Sequence, residues 1–173
     1  MQINFQIIGN SSNYPNILLL SKTRNLCIRV FLSLAYFLQI NNIMKTSKNK
    51  QIFVVEDNKT EGMLLKLCLG SVKNVTVTNF TYGEELLKNL DKHPEIVIAD
   101  MMLPDIAGEE LIHTIKENSP ETEVIVVSSQ KDIDLIARVQ EMGIYNYLVK
   151  SETCMDLLQK AIEDLTFLID NNR

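Results

Sequence analysis

Residues 96–100 read IVIAD, four apolar residues followed directly by a carboxylate. A short, continuous and mostly β-branched apolar run of this kind is typical of a parallel strand that is buried on both faces. Four further runs along the chain predict strands. They are Gln51–Val55, Val75–Phe80, Val124–Val127 and Ile144–Val149. We therefore expect five strands.

Helical patterns separate and follow these strands. They cover residues 58–71, 83–91, 108–118, 131–142 and 152–169. The last pattern repeats apolar residues at spacings of four and three, which predicts a stripe that faces a sheet. Those residues are Leu158, Ile162, Leu165 and Ile169. Gly143 follows the fourth pattern, where a left-handed cap is expected. Five such units predict an α/β fold with a doubly wound parallel sheet, because right-handed crossovers leave few other packings.

Polar side chains come directly after the predicted strands. Parallel strands end at one edge of their sheet, so we expect these groups to converge there. Glu56 and Asp57 follow the first strand, Asp100 the third, Ser128 and Ser129 the fourth, and Lys150 the fifth, with Tyr147 inside the fifth strand.

The converging groups suit phosphoryl transfer. Three carboxylates at close range repel one another, and Mg²⁺ is the hard cation that suits such a site. Asp100 could attack phosphorus while Mg²⁺, Lys150 and the Ser128 hydroxyl hold the phosphoryl oxygens. Taken singly, each residue is most often a helix cap, a turn residue or an exposed side chain. Their joint placement favours the phosphoryl-transfer site.

Four short segments resemble the receiver domain of two-component response regulators, over about residues 50–170. The segments are DMMLPDIAG at 100–108, VVED at 54–57, VVSS at 126–129 and YLVK at 147–150. The resemblance implies the flavodoxin-like receiver fold, with five parallel strands in the order 2-1-3-4-5.

The resemblance also implies a role for each site residue. Asp100 would accept a phosphoryl group from a phosphohistidine on a sensor histidine kinase or a histidine phosphotransfer protein. Asp57, Asp100 and the backbone carbonyl of Met102 would bind Mg²⁺, with Glu56 acting through a water. Lys150 would pair with Asp100 and then with its phosphoryl oxygens.

Two further residues would carry the switch that the resemblance implies. Ser128 would close on the phosphate and Tyr147 would swing inward. The face made of the fourth helix, fifth strand and fifth helix (α4-β5-α5) would then change, for an unidentified output protein or for a homodimer. Leu135 and Val139, on the fourth helix, fit either this surface or ordinary core packing.

The chain departs from the family pattern at two positions. Ser151 follows Lys150, where the family usually has a proline in a cis bond. A cis bond without proline costs about 2.5–4 kcal/mol, so we expect a trans bond here. Ser129 stands where a small apolar residue is common, and it is still small enough to leave access to the site.

These observations predict a stand-alone response regulator in the cytoplasm that is not an enzyme and acts by protein contact, since the chain ends at Arg173, soon after the fifth helix. An intermediate phosphorelay carrier is the alternative. An aspartyl-nucleophile phosphatase is disfavoured because Met102 stands where a general acid is needed. A scaffold that is never phosphorylated is disfavoured because all the required groups are present.

The first part of the chain differs from the rest in charge and in its apolar pattern. Residues 1–44 hold Lys22, Arg24 and Arg29 and no acid, although the 173-residue chain has a net charge of −5. Their longest apolar run, Leu26–Ile40, has 15 residues and is interrupted by Arg29, whereas a membrane span needs roughly 20. We expect a poorly ordered leader over residues 1–49, with Met44 as a candidate start of translation, and a receiver domain over residues 50–173. No membrane partner is expected.

Composition excludes several other functions. An acidic pI near 5.1 disfavours nucleic acid as a partner. Three separated cysteines predict no disulfide framework, and we expect Cys68 and Cys154 to be packing residues. Two histidines, His93 and His113, cannot form a multi-histidine metal centre, and we expect both to be solvated or structural.

Overall fold

A computed structural model describes residues 49–172 of the chain. The predicted leader, apart from Asn49, and the candidate start at Met44 therefore lie outside the described residues.

Five parallel strands form one sheet within the described residues. The strands are β1 Lys50–Val55, β2 Val75–Phe80, β3 Ile96–Ala99, β4 Glu123–Ser128 and β5 Asn146–Val149. Their order across the sheet is β2-β1-β3-β4-β5, so the predicted order 2-1-3-4-5 is confirmed. Val55 pairs with both Phe80 and Ala99, and Ser128 pairs with Val149. The carboxyl ends of the strands consequently lie along one edge of the sheet.

Five α-helices cover the two faces of this sheet in residues 49–172. They are α1 Lys59–Leu69, α2 Gly83–Leu87, α3 Gly108–Asn118, α4 Ile133–Glu141 and α5 Cys154–Asn172. One buried cluster joins residues of α2, α3 and α4 to the sheet, and a second joins residues of α1 and α5 to it. Successive residues of β1 and β3 alternate between the two clusters, which is the packing of a doubly wound sheet.

The second helix is shorter than the predicted range 83–91. It ends at Leu87 and is followed by a 3-10 turn, Leu90–Lys92. Asn89 causes the change, because its backbone N–H bonds to Leu86 O at 2.9 Å and its side-chain amide to Glu85 O at 2.8 Å. An asparagine side chain that bonds nearby backbone in this way competes with the helical pattern.

Several local predictions are confirmed. Gly143 has φ +80°, as a left-handed cap requires. Leu158, Ile162 and Leu165 of the α5 stripe are buried against the sheet. No peptide bond in residues 49–172 is cis, so the bond between Lys150 and Ser151 is trans.

For Val139 on α4, the interpretation as a partner surface is wrong. Val139 is fully buried in the core, so it is not part of a partner surface. Leu135 is partly buried and packs against the same cluster. Within the described part of the chain, the structure contains no helix with the length and apolar character needed to cross a bilayer.

Candidate functional site

An acidic cluster lies at the carboxyl edge of the sheet. Glu56 and Asp57 follow β1 and Asp100 follows β3, and these strands are neighbours with Val55 opposite Ala99. Glu56, Asp57 and Asp100 each offer an oxygen, and these oxygens all lie within 4.8 Å of one another. Glu56 and Asp100 are buried and Asp57 is exposed, so the cluster opens to solvent on the side of Asp57.

Lys150 places its ammonium group among these carboxylates. It follows β5, and its Nζ donates to Asp100 Oδ2 at 2.7 Å and to Glu56 Oε2 at 2.8 Å. A third bond runs to Glu61 Oε2, on α1, at 2.6 Å. An ammonium group has three N–H donors, and all three have a carboxylate acceptor here.

The electrostatics of the cluster follow from burial and from this ammonium. Burial raises the pKa of Glu56 and outweighs the hydrogen bond from Lys150, which acts in the opposite direction. Burial lowers the pKa of Lys150, but its hydrogen bonds to Asp100, Glu56 and Glu61 outweigh that effect and raise the pKa above its ordinary value. Lys150 therefore stays charged at neutral pH, and one ammonium faces more than one carboxylate.

The residues present fit a divalent cation. Closely spaced carboxylate oxygens with an open side are the hard ligands that Mg²⁺ prefers, and Mg²⁺ commonly keeps several waters. Met102 lies two residues after Asp100, and its backbone N–H donates to Asp100 Oδ1 at 3.2 Å. This bond holds the backbone at Met102, whose carbonyl is a predicted Mg²⁺ ligand.

Ser128 and Tyr147 lie beside the cluster and share one neighbour. Ser128 is fully buried at the end of β4, and its Oγ accepts from Gln130 N at 3.4 Å. The Tyr147 hydroxyl donates to Gln130 O at 3.1 Å. Burial raises the pKa of this hydroxyl. Tyr147 as a whole residue is 9% exposed in this structure, and its inward swing on phosphorylation stays a prediction.

Sequence reasoning missed Glu61. The predicted site residues lie in strands or just after them, whereas Glu61 lies in the first turn of the next helix. Asn58 caps that helix by accepting from Thr60 N and Glu61 N, which makes Glu61 the third helical residue. An asparagine followed three residues later by glutamate is a known signal for a helix start, and it could have placed Glu61 in the first turn of α1, just after the end of β1.

The remaining sequence candidates lie away from the cluster or in the core. His113 on α3 is exposed and its Nε2 is 3.2 Å from Glu117 Oε1. His93 ends the 3-10 turn in a left-handed conformation. Cys154 is buried, and the Cys68 thiol donates to Met155 O at 3.4 Å, so both act in packing.

A parallel sheet in the order 2-1-3-4-5, with an acidic cluster and a lysine at its carboxyl edge, defines the receiver class of signalling domains. Residues 52–162 match the family model described as response regulator receiver domain. The chain belongs to this family, whose members act in two-component signalling.

Curated relatives extend beyond the matched region. The chain is 36% identical over 100 residues to the transcriptional regulatory protein CssR of Bacillus subtilis, covering 57% of this chain and 44% of CssR. It is 28% identical over 115 residues to the DNA-binding transcriptional regulator NtrC of Escherichia coli, covering 64% of this chain and 24% of NtrC. The chain thus spans less than half the length of these two relatives.

Solved structures agree with the fold. The BeF3-activated receiver domain of DrrB is 28% identical, with a TM-score of 0.61, and the match covers 67% of this chain and 96% of that one. Response regulator DrrB, described as a Thermotoga maritima OmpR/PhoB homologue, is 27% identical, also with a TM-score of 0.61. Here the match covers 72% of this chain and 54% of that chain.

Proposed function

We propose that Asp100 accepts a phosphoryl group from a phosphohistidine on a sensor histidine kinase or a histidine phosphotransfer protein. The observation that carries this proposal is the placement of Lys150 Nζ, 2.7 Å from the buried Asp100 Oδ2, beside oxygens that suit Mg²⁺. A carboxylate nucleophile, a fixed cation and a hard-metal site are the parts that phosphoryl transfer needs, because the reaction depends mainly on positioning and charge stabilisation.

The transfer exchanges one bond to phosphorus for another. A carboxylate oxygen of Asp100 forms the new P–O bond while the P–N bond of the phosphohistidine breaks. The bonding pair stays on the imidazole nitrogen, which takes up a proton from the solvent. Lys150 holds the phosphoryl oxygens through its ammonium group, and Ser128 donates its hydroxyl to them. Asp57, Asp100 and the Met102 carbonyl would hold Mg²⁺, with Glu56 acting through a water, and the ion would supply positive charge to those oxygens.

The backbone of Gln130 supports a coupled switch. The Gln130 N–H donates to Ser128 Oγ, and the Gln130 carbonyl accepts from the Tyr147 hydroxyl. Both predicted switch residues are thus hydrogen-bonded to the backbone of the same residue. Movement of Ser128 toward a phosphate on Asp100 breaks its bond with Gln130 N and frees the backbone that Tyr147 contacts. The helix α4 begins at Ile133, three residues later, and Ile133 is 81% exposed. The phosphate therefore biases the face made of α4, β5 and α5 between two states.

The proposed output is contact of this face with another protein or with a second copy of the chain. We infer a receiver domain over residues 50–173 that acts in the cytoplasm. The relay alternative shares the same phosphorylated state, and only a relay carrier passes the phosphate to a second histidine protein. The chain is not expected to turn over an added phosphate ester, because Met102 offers no proton.

Labelling of the full chain with radioactive acetyl phosphate and Mg²⁺ tests the proposal. We expect one hydroxylamine-labile phosphate per chain and none in Asp100→Asn. Asp91→Asn, at an exposed aspartate in the 3-10 turn, is the matched control and is expected to label like the wild type. An unlabelled wild-type protein, or an Asp100→Asn variant that labels fully, would overturn the proposal.

A further inference from the structure

We infer that Glu61 is a positioning residue that holds the Lys150 ammonium over the acidic cluster and thereby sets the rate at which Asp100 is phosphorylated. The inference rests on the proposed function and deepens it. Glu61 belongs to none of the segments that resemble the receiver family, and it acts through Lys150 alone.

The contact geometry gives Glu61 the shortest of the three bonds to Lys150. The distances from Lys150 Nζ are 2.6 Å to Glu61 Oε2, 2.7 Å to Asp100 Oδ2 and 2.8 Å to Glu56 Oε2. Asp100 and Glu56 come from strand ends, whereas Glu61 comes from α1. Lys150 is thus held between the sheet edge and a helix that packs on one face of the sheet.

Lys150 needs such a partner because its backbone, although bonded to Ser128 O at 2.9 Å, does not by itself fix the direction of the side chain. A proline after a residue restricts that residue's backbone, and Ser151 imposes no such restriction. The lysine stem is long and flexible, so the partners of its ammonium group select its direction. Glu56 and Asp100 also offer the carboxylate oxygens that a divalent cation would bind. Glu61 lies outside the metal-binding group, so it would stay available to Lys150 with a cation bound.

Glu61 is itself held in place before any phosphodonor arrives. Asn58 Nδ2 lies 3.4 Å from Glu61 Oε1, and the Asn58 side chain accepts from Glu61 N at 3.3 Å. One carboxylate oxygen thus faces the helix cap and the other faces Lys150. The Glu61 side chain is 40% exposed and that of Asp100 is 6% exposed, so Glu61 binds Lys150 from the solvent side. An acceptor fixed in this way reduces the conformational freedom that Lys150 must lose during the reaction.

The first experiment measures Lys150 without metal or phosphate. In the wild-type chain, the ammonium nitrogen of Lys150 is expected to give a resolved proton-coupled NMR signal, because three acceptors slow its exchange with water. Glu61→Ala is expected to lose that signal. Glu61→Gln is expected to keep it, since the amide oxygen still accepts a hydrogen bond. Glu110→Ala, which removes an exposed glutamate on α3, is the matched control and leaves the signal unchanged.

The second experiment measures phosphorylation with phosphoramidate and saturating Mg²⁺. We expect Glu61→Ala to lower the maximal rate about three- to tenfold, with the half-saturating donor concentration unchanged, and Glu61→Gln to recover most of the rate. A wild-type rate or a wild-type Lys150 signal in Glu61→Ala would overturn the inference. If the wild-type chain is not phosphorylated, the proposed function fails. The NMR measurement of the Lys150 ammonium still tests whether Glu61 holds Lys150.

Discussion

Lys150 Nζ lies 2.7 Å from Asp100 Oδ2, although 50 residues separate them in the chain. The same ammonium lies 2.8 Å from Glu56 Oε2. Both carboxylates belong to the acidic cluster that suits a divalent cation. Lys150 therefore neutralises part of the charge that such a cation would otherwise balance, and the two positive charges compete for the same oxygens.

Lys150→Met is expected to tighten Mg²⁺ binding about tenfold, because the variant removes a positive charge that sits within hydrogen-bond distance of two cluster carboxylates. Isothermal titration of the unphosphorylated chain with MgCl₂ measures the change. Lys88→Met is the control, since the Lys88 side chain is 75% exposed and pairs with Glu84 on α2 at 3.5 Å, away from the acidic cluster. Unchanged or weaker binding in Lys150→Met would contradict the competition.

Asp105→Ala is expected to lower the free energy of unfolding at pH 7 by about 1 kcal/mol, because it removes the cap of α2. Asp105 accepts from Gly83 N at 3.1 Å and Glu84 N at 2.9 Å, whereas the preceding residue Tyr82 makes no side-chain cap bond. Urea denaturation of the two proteins gives the difference. If the free energies of unfolding of Asp105→Ala and the wild type are equal within error, the cap does not stabilise the protein.

The contribution of Asp105 is also expected to depend on pH. Desolvation raises the pKa of Asp105, but the backbone N–H groups of Glu84 and Gly83 outweigh it, so the pKa lies below its ordinary value. A lowered pKa in the folded state gives stability that is present above the unfolded-state pKa, near 3.9, and is lost as the pH falls through the folded-state pKa. The difference between wild type and Asp105→Ala should therefore shrink below about pH 4, and a constant difference would contradict this assignment.

Leu158→Ala is expected to cost about 2–5 kcal/mol, because it leaves a cavity between α5 and the sheet. Leu158 is 0% exposed, and its neighbour Leu157 is 51% exposed. Leu157→Ala removes the same atoms from the same helix and is expected to change stability by about 0.5 kcal/mol or less. Chemical denaturation followed by circular dichroism compares the two variants, and equal losses would mean that the α5 stripe does not face the sheet as described.

Gly108→Ala is expected to cost about 1–3 kcal/mol through overpacking. An added Cβ would lie 2.7 Å from Met101 Cα, which is backbone next to Asp100 and cannot rotate away. Gly70→Ala is the control, since its Cβ would meet nothing closer than 3.4 Å. Thermal unfolding measures both variants. A Gly108→Ala protein as stable as Gly70→Ala would show that the segment after Asp100 can shift freely.

The prediction from sequence was accurate where one local pattern determines the structure. Buried strands such as Ile96–Ala99 are continuous apolar runs, and their position in the chain is visible without any tertiary information. The predicted helix over residues 83–91 was too long, because the competing bonds of Asn89 to Glu85 and Leu86 depend on a side-chain rotamer that periodicity does not report.

The acidic cluster was predictable for a related reason. Parallel strands end at the same edge, so residues that directly follow strands must meet there, as Glu56 and Asp100 do. Glu61 was missed because it reaches the cluster from a helix. Its distance to Lys150 depends on how α1 packs against the sheet, which no residue spacing specifies.

The sequence alone therefore determined the five strands and the carboxylates that follow them, since burial pattern and strand polarity are properties of contiguous residues. Only the tertiary structure decided which carboxylates share the Lys150 ammonium and that Val139 lies in the core. The physical reason is that these contacts join residues far apart in the chain, and their geometry follows from the packing of α1 and α4 on the sheet.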